Sequence, residues 1–399
     1  MMRRLCVFAF GEYRLHLGIA EASTALLSVF SVFSYVRLHS YLCRKELDMA
    51  TLIRYPAEMC FSSDIADIVF STSSESGLLV LDLVCGGTAM NVMEERVYPE
   101  VDGSIAVSDL SELVEPYARE YLQVVLRCSF SDDAGAVSIP EVTVLFSMAD
   151  VDTTAADFTE NHFLSILSGE KVTAMGREER LHVWGDDVVT LRADVLLSDG
   201  GCDTRSVELT EMDSTGNVCH FDVSPANVSA LLGLTTECLL SYTVESGSRS
   251  QDYLVMEDQV PPAPSLLFIN SFGFEEFLHC VGTHKKDSKY EREQARMLGR
   301  LRNYRITEER RFTANTGWLN EAMADWADDL FRSESVFLWV DGKVGREVVL
   351  SDSKSEISNE DDHMPAFEFT YTYAQRIHNV MQSGRVGRIF DNTFDRTFN

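Results

Sequence analysis

Short apolar runs separated by turn residues fill the first two thirds of the chain, and this spacing is typical of all-β domains. One short helix interrupts the first set of runs, because Leu110, Val114 and Tyr117 recur at helical spacing behind a cap at Ser108 or Asp109. The predicted strands of this first stretch are Ile65–Ser71, Gly77–Val84, Thr88–Tyr98, Ser104–Val107, Leu122–Ser129 and Val137–Ser147.

The same order of elements recurs about 113 residues further along the chain. Gly103 stands six residues before Asp109-Leu110-Ser111, and Gly216 stands six residues before Asp222-Val223-Ser224. Each copy also has a Gly-Gly turn upstream and a short helix downstream. The predicted elements of the second copy are strands Val188–Leu197, Ser206–Met212, Asn217–Val223 and Cys238–Val244, with a helix from Pro225 to Leu232. The spacing indicates a duplicated domain.

The repeated Asp-Leu/Val-Ser motif has a structural explanation. A short helix that crosses between two sheets needs a side-chain acceptor for its free N–H groups and an apolar residue to close the sandwich. The predicted organisation is therefore two tandem β-sandwich-like domains at 49–153 and 154–260. A proline-rich linker at 261–265 and a C-terminal α+β domain at 266–399 follow.

The C-terminal domain has a different pattern, with one amphipathic helix on an antiparallel sheet. The helix is predicted over Trp318–Arg332, and Val336–Val340 is predicted to form a hairpin with Glu347–Ser351 across Asp341-Gly342. Aromatic residues alternate with polar ones from Phe367 to Tyr373, which predicts a strand with one buried face. Further predicted strands are Leu266–Asn270, Phe277–Gly282 and Tyr304–Thr313.

Charge divides the chain at the proline-rich linker. Residues 49–263 hold 10 basic and 37 acidic residues, a net charge of -27, which disfavours binding to nucleic acid. Residues 285–311 hold ten Lys and Arg against five acids, so this segment is predicted to meet an acidic partner, including the acidic domains of another copy. The predicted partner-binding residues are Lys285, Lys286, Arg292, Arg296 and Arg300, together with the terminal Phe390, Phe394 and Phe398.

The first 48 residues are basic at the start and then largely apolar. Two interpretations stay open: an over-extended start, with the natural product beginning at Met49, or a signal or anchor segment. We favour the start at Met49. The nine cysteines include no CxxC pair, so neither a zinc site nor a disulfide framework is indicated, and buried reduced thiols are expected.

No catalytic signature for acyl transfer, zinc proteolysis or nucleotide binding occurs in the sequence, so we expect no catalytic residues, no cofactor and no metal. Three weaker patterns have ordinary structural interpretations. His279-Cys280 with His284 fits alternating strand residues better than metal ligands. Asp150, Asp152 and Asp157, or Asp199 and Asp203, fit solvated turns better than calcium loops. The four tryptophans, at positions 184, 318, 326 and 339, fit core packing better than a sugar-stacking platform.

Over residues 264 to 380 the sequence resembles uncharacterised proteins of tailed phages and prophages. The resemblance is carried by FINSFGFEEFLHCVGTHKKDSKYEREQARMLGRLRNYRI, TGWLNEAMADWADDLFRS, FLWVDGKVGREVVLSDSKSEI and FTYTYAQRIHN. It implies a non-enzymatic structural protein of a tail or baseplate, found in the virion or in the host cytoplasm during assembly. The implied partners are other copies of itself and other virion proteins. The alternative is a cell-surface β-sandwich binding protein of adhesin or carbohydrate-binding type, which would require a genuine leader and would contact a membrane only through it.

Overall fold

Three structural units follow one another along the chain: two β-sandwiches and a C-terminal α+β domain. The structure is a computed structural model that describes residues 49–257, 264–354 and 364–375. The predicted fold class is confirmed. The leader at 1–48 and the terminal Phe390, Phe394 and Phe398 lie outside the described residues. Among the described residues, no helix is both long and apolar enough to cross a membrane.

The first sandwich, unit 1, stacks a three-stranded sheet on a larger one. Its elements are β1 (Thr51–Arg54), β2 (Met59–Phe61), β3 (Ile68–Ser71), β4 (Gly77–Cys85), β5 (Thr88–Val97), β6 (Ser104–Val107), α1 (Leu110–Tyr121), β7 (Gln123–Asp132), β8 (Gly135–Ser138) and β9 (Val142–Leu145). The small sheet has the order β1-β3-β6, and the large one has the order β2-β9-β7-β4-β5 with β8 also paired to β7. Phe70, Leu81, Leu126 and Phe130 are fully buried between them.

The second sandwich, unit 2, repeats this pairing. Its elements are α2 (Ala155–Asn161), β10 (Lys171–Ala174), β11 (Arg180–Trp184), β12 (Thr190–Leu196), β13 (Cys202–Glu208), β14 (Asp213–Thr215), β15 (Val218–Asp222), α3 (Pro225–Leu231), β16 (Cys238–Ser246) and β17 (Arg249–Met256). Its sheets have the orders β10-β17-β16-β12-β13 and β11-β15-β14. The edge strand β10 is parallel to β17, as β2 is to β9. The larger sheets of the two units therefore share strand order and strand direction, and the crossing helix precedes the equivalent strand in each. The smaller sheets differ in their third strand, because β1 pairs with β3 in unit 1 whereas β14 pairs with β15 in unit 2.

The repeated motif differs in detail between the units. Leu110 and Val223 are both buried, as expected for residues that close a sandwich. The predicted side-chain cap of α1 is wrong, because Asp109 has a left-handed φ of 58° and makes no capping hydrogen bond. In unit 2 the Asp222 carboxylate instead accepts hydrogen bonds from the N–H and the hydroxyl of Ser224.

The C-terminal domain is one seven-stranded antiparallel sheet with a helix packed on it. Its elements are β18 (Ser265–Ile269), β19 (Glu275–His279), β20 (His284–Met297), β21 (Arg300–Asn315), α4 (Glu321–Arg332), β22 (Val336–Val340), β23 (Lys343–Lys354) and β24 (Glu368–Tyr373). The strand order is β19-β18-β22-β23-β24-β21-β20. The predicted alternation holds, since Phe367, Phe369 and Tyr371 are buried with Trp326 and Leu330 of α4 in one core.

The helix α4 begins three residues later than predicted. Asn320 is its N-cap, with Oδ1 accepting a hydrogen bond from the Met323 N–H at 2.8 Å. Gly317, with a φ of 80°, and Trp318 both precede this cap. Trp318 therefore lies outside the helix and is 76% exposed.

The three units meet at the turn between β18 and β19, which we call the joint. Phe272 and Phe274 of this turn share a buried cluster with Phe61 of unit 1 and Val218 of unit 2. Gly273 between them has a φ of 87°, and a Cβ built there would lie 2.4 Å from Leu122 Cδ2. The turn therefore fits only with glycine at its centre, and it ties the C-terminal domain to both sandwiches.

Candidate functional site

A long β-hairpin extends from the edge of the seven-stranded sheet. Strand β21 pairs with β24 only from Arg311 to Asn315, whereas β20 and β21 pair with each other over their whole length. Residues Ser288–Arg310, which we call the arm, therefore have only one another as strand partners. At about 3.3 Å per residue, the arm reaches roughly 35 Å beyond the sheet.

The arm ends in a two-residue turn. Leu298 and Gly299 have φ angles of 52° and 75°, the combination that a type I′ hairpin turn requires. Leucine is strained at a positive φ, and the Leu298 side chain is 102% exposed, so no contact within the described residues offsets that strain. Leu301 and Tyr304, three and six residues further along the chain, are also exposed. A cluster of this kind on a projecting element is typical of an interaction site.

The charges of the arm are unevenly paired. Toward its base, Arg310 contacts Glu308 at 2.5 Å and Lys289 contacts Glu291 at 3.3 Å. Residues Gln294–Asn303, which we call the tip, contain three arginines and no acid. Within the described part of the chain, no ion pair or hydrogen bond involves the side chains of these arginines, which are Arg296, Arg300 and Arg302. The tip is therefore a cationic surface free to meet an external partner.

The structure places the predicted partner-binding residues in two groups. Lys285 and Lys286 lie at the root of β20, opposite Thr313 and Phe312. The other three lie on the arm: Arg292, whose guanidinium is 5.3 Å from the Tyr290 ring centroid, and Arg296 and Arg300 at the tip. The sequence interpretation missed the apolar component of this surface. No local signal marked the turn, because Leu-Gly is not among the Asn-Gly and Asp-Gly pairs typical of such turns.

A second candidate is a buried polar cluster beside the joint. Lys171 Nζ lies 2.6 Å from the Glu179 carboxylate, and the two side chains are only 6% and 1% exposed. The same ammonium donates to the Phe277 carbonyl at 3.2 Å and lies 4.2 Å from the Trp326 ring centroid. Glu276 accepts hydrogen bonds from the Trp326 indole and from Asn270. The buried charged side chains of unit 2 thus contact the backbone and side chains of the C-terminal domain.

This cluster leaves little room for a substrate. The cavity beside it, lined by Lys171, Arg180, His182, Tyr253 and Glu276 among others, has a volume of about 10 Å³. That is about the space one water molecule needs, far below the several hundred Å³ of an ordinary ligand pocket. In the described geometry the cluster holds two units together.

Two histidines extend the polar contacts of the joint. His182 Nε2 is 2.9 Å from the Glu275 carbonyl oxygen, so it must donate there, and its Nδ1 accepts from His220 Nδ1 at 2.7 Å. His220 Nε2, 3.0 Å from Thr215 Oγ1, then accepts from that hydroxyl. These three contacts are all satisfied when both rings are neutral. Burial and the neighbouring His220 and Arg180 charges lower the pKa of His182 well below its usual range.

The residues considered as metal ligands, His279, Cys280 and His284, are hydrogen-bonded or buried within the fold. His279 Nδ1 lies 2.8 Å from Ser265 Oγ, and His284 Nε2 lies 2.9 Å from the Tyr371 hydroxyl. Cys280 is fully buried, and burial raises the pKa of its thiol. Of the residues that the structure describes, no group of three or more His, Cys, Asp or Glu could hold a metal ion.

The candidate calcium residues and tryptophans are scattered. Asp199 accepts from the Gly201 N–H within a turn, and Asp203 pairs with a neighbouring arginine. Trp326 is buried in the core as expected, but Trp318 is exposed, so core packing was the wrong interpretation for that residue.

The thiols are less uniformly buried than expected. All seven cysteines within the described ranges are free, and Cys85 and Cys128 are buried as predicted. Cys202 and Cys238 are exposed, so the expectation was wrong for these two. Both pair with Leu196, one on each side of it, on the outer face of unit 2.

Comparisons with known proteins do not identify a family. No protein-family model and no curated protein matches the chain. Squid arrestin is similar over 53% of this chain and 94% of its own, with 8% identity and a TM-score of 0.19. A 1.5-MDa bacterial ice-binding adhesin is similar over 67% of this chain and 92% of the solved chain, with 10% identity and a TM-score of 0.14. Such scores support no argument, and the β-rich architecture is compatible with a binding or a structural protein.

Proposed function

We propose that this protein is a non-enzymatic structural subunit that assembles with other subunits through its arm. The observation that carries the proposal is the arm itself, which projects roughly 35 Å from the sheet and contributes no residue to the hydrophobic cores of the described part of the chain. A two-stranded hairpin is marginally stable when isolated in water, so a partner surface would stabilise it. Exposed leucine and tyrosine beside unpaired arginines match the composition of protein interfaces.

The assembly we propose is the tail or baseplate of a phage or prophage, with other copies of the chain and other virion proteins as partners. This part rests on the sequence resemblance of residues 264 to 380, a region that includes the arm. The terminal Phe390, Phe394 and Phe398 are proposed to contribute further contacts. Deletion of residues 389–399 followed by light scattering tests that contribution, and unchanged oligomers would contradict it.

Removal of the arm tests the proposal directly. Replacing Ser288–Arg310 by Asn-Gly would close the hairpin at the edge of the sheet and would leave every buried residue in place. We expect a folded monomer by sedimentation velocity, where the unmodified chain forms oligomers. A matched control replaces Ser198–Gly201, the exposed turn of the β12–β13 hairpin, by Asn-Gly. Equal oligomers in the arm variant and the unmodified chain would overturn the proposal.

A second candidate function is a cell-surface binding module, and one observation favours it. Tyr98 stands exposed on a loop at the end of unit 1, where an aromatic ring could stack on a sugar. Glycan-array binding by the unmodified chain that is lost in Tyr98→Ala would favour this function. Equal signals from the two proteins, or none, would leave the assembly proposal as the better account.

A further inference from the structure

The loops at one end of unit 1 form a compact surface, which we call the distal loops. They comprise Thr72–Ser76, Tyr98–Gly103 and Asp132–Ala134. The Thr72 N–H donates to the Gly103 carbonyl at 2.9 Å, and the Thr72 hydroxyl donates to the Asp132 carboxylate at 2.6 Å. These two bonds join all three segments, so their side chains present one surface.

The distal loops lie far from the joint. Strand β7 has its first residue, Gln123, at the joint, where its side-chain oxygen accepts from the Asn217 N–H of unit 2 at 3.2 Å. Its last residue, Asp132, belongs to the distal loops. The ten residues of this strand separate the two ends of unit 1 by roughly 30 Å. The surface is therefore not covered by the other units.

The distal loops resemble the tip in having exposed apolar side chains, and their predominant charge is opposite. Val101 is 109% exposed and Tyr98 is 71% exposed. Around them stand four exposed acids, Glu75, Glu100, Asp102 and Asp133. Val101 and Leu298 are the two most exposed large apolar side chains among the described residues. Acids predominate around Val101, where the adjoining cation is Arg96, whose guanidinium donates to Ser76 at 3.3 Å, and arginines surround Leu298 at the tip.

We propose that the arm tip of one copy docks on the distal loops of unit 1 in a second copy. This inference rests on the proposed assembly function and names the partner surface. Leu298 and Leu301 would be covered by Tyr98 and Val101, while the three arginines meet the four acids. An apolar centre with an opposite-charge rim is the arrangement that gives an interface both affinity and specificity.

The charges also determine the geometry of the assembly. Two tips facing each other would bring six unpaired arginines together, and two sets of distal loops would bring eight acids together, so symmetric pairing of either surface is disfavoured. The contact is therefore head-to-tail. A heterologous contact of this kind closes into a ring or continues as a filament, according to the rotation between copies.

Nucleic acid is the competing partner for a cationic hairpin. The two sandwich units of the same chain, residues 49–263, have a net charge of -27 and would repel a phosphate backbone. The same charge attracts the tip of another copy. The charge distribution thus favours protein over nucleic acid, and binding to a DNA duplex becomes an outcome of the test.

Two complementary charge reversals on the full chain test the docking. The tip variant carries Arg296→Glu, Arg300→Glu and Arg302→Glu, and the loop variant carries Glu75→Lys, Glu100→Lys and Asp133→Lys. Each alone should associate roughly 100-fold more weakly than the unmodified chain, because like charges then face each other. Mixed in equal amounts they should assemble again, since each reversed surface finds an opposite charge on the other variant. A control variant with Glu160→Lys, Glu208→Lys and Glu245→Lys makes the same charge change as the loop variant, on the surface of unit 2, and should assemble normally.

Sedimentation velocity of these proteins separates failure of the docking from failure of the proposed function. A monomeric tip variant beside a loop variant that assembles normally would overturn the docking site and leave the assembly function standing. A tip variant that assembles like the unmodified chain, or an unmodified chain that stays monomeric, would overturn both. Tip-dependent binding of a fluorescent DNA duplex at physiological salt would overturn the choice of a protein partner.

Discussion

Two hairpins at opposite edges of the same sheet differ in whether their turns are buried or exposed. The β18–β19 hairpin places Phe272 and Phe274 in a buried cluster between the two sandwiches, whereas the β20–β21 hairpin projects into solvent with Leu298 at its end. Both are antiparallel pairs with a glycine of positive φ in the turn. Their difference therefore lies in the side chains beside that glycine and in the surfaces available to them.

The same contrast holds for charge. Beside the joint, Lys171 and Glu179 are buried and paired, and Glu276 is hydrogen-bonded on both carboxylate oxygens. On the tip, the arginines are exposed and have no partner among the residues that the structure describes. A buried charge needs a partner within the fold because its desolvation is costly. An exposed charge stays hydrated and needs no partner within its own chain. The joint thus serves the fold of one chain, and the arm is suited to contacts between chains.

The largest expected effect comes from breaking the joint. Phe272→Ala removes a fully buried ring that contacts Phe61 and Phe158, so we expect the free energy of unfolding to fall by about 4 kcal/mol. Denaturant unfolding measures the change. Leu298→Ala, the same loss of an apolar side chain at the other hairpin turn, should change it by less than about 0.5 kcal/mol. Equal losses from the two substitutions would contradict the contrast between the hairpins.

The next effect concerns the buried ion pair. Lys171→Met leaves the Glu179 carboxylate buried without its counter-charge, and we expect a loss of about 3 kcal/mol in unfolding free energy. The double variant Lys171→Met with Glu179→Leu replaces both charges by apolar groups and should recover most of that loss. Thermal unfolding of the single and double variants checks the cycle. A double variant as unstable as the single one would show that the cost arises from packing and not from the unpaired charge.

Local patterns predicted the fold well where one face of a strand is buried. The alternation from Phe367 to Tyr373 and the hairpin around Asp341-Gly342 were predicted because period-two burial and turn chemistry are visible in single residues. The predicted strand Val137–Ser147 was wrong in one respect. Pro140, which has no N–H, stands in the break between β8 and β9.

The arm and the joint were harder to predict, for physical reasons. Strand β20 contains almost no apolar residues, because neither of its faces is buried over most of its length, so it was interpreted only as a basic segment. The joint depends on contacts across more than a hundred residues, such as Lys171 with Phe277 and His182 with Glu275. No spacing rule connects positions so far apart. Charge counting did identify part of the tip, because a cationic surface remains visible without a fold.

A smaller effect should appear as the pH is lowered. His182 keeps a lowered pKa in the folded chain, whereas in the unfolded chain it titrates near 6.5. Below that pH the unfolded chain binds a proton at this residue, whereas the folded chain does not. The free energy of unfolding present above pH 6.5 is therefore progressively lost as the pH falls, by at most about 1.4 kcal/mol per pH unit. Gln can donate to the Glu275 carbonyl and accept from His220, so His182→Gln should show a weaker pH dependence between pH 6.5 and 5. His162→Gln, an exposed control, should behave like the unmodified chain. Equal slopes of unfolding free energy against pH for His182→Gln and the unmodified chain would contradict a neutral His182–His220 pair.

The smallest expected effect is the one that separates the arm from the fold most clearly. The triple reversal Arg296→Glu, Arg300→Glu and Arg302→Glu should change the free energy of unfolding of the monomer by less than about 0.5 kcal/mol, because these exposed side chains have no partner within the described residues. Denaturant unfolding at a protein concentration low enough to keep every variant monomeric measures this. A destabilisation of several kcal/mol would mean that the tip contacts its own chain, and the arm would then belong to the fold in the same sense as the joint.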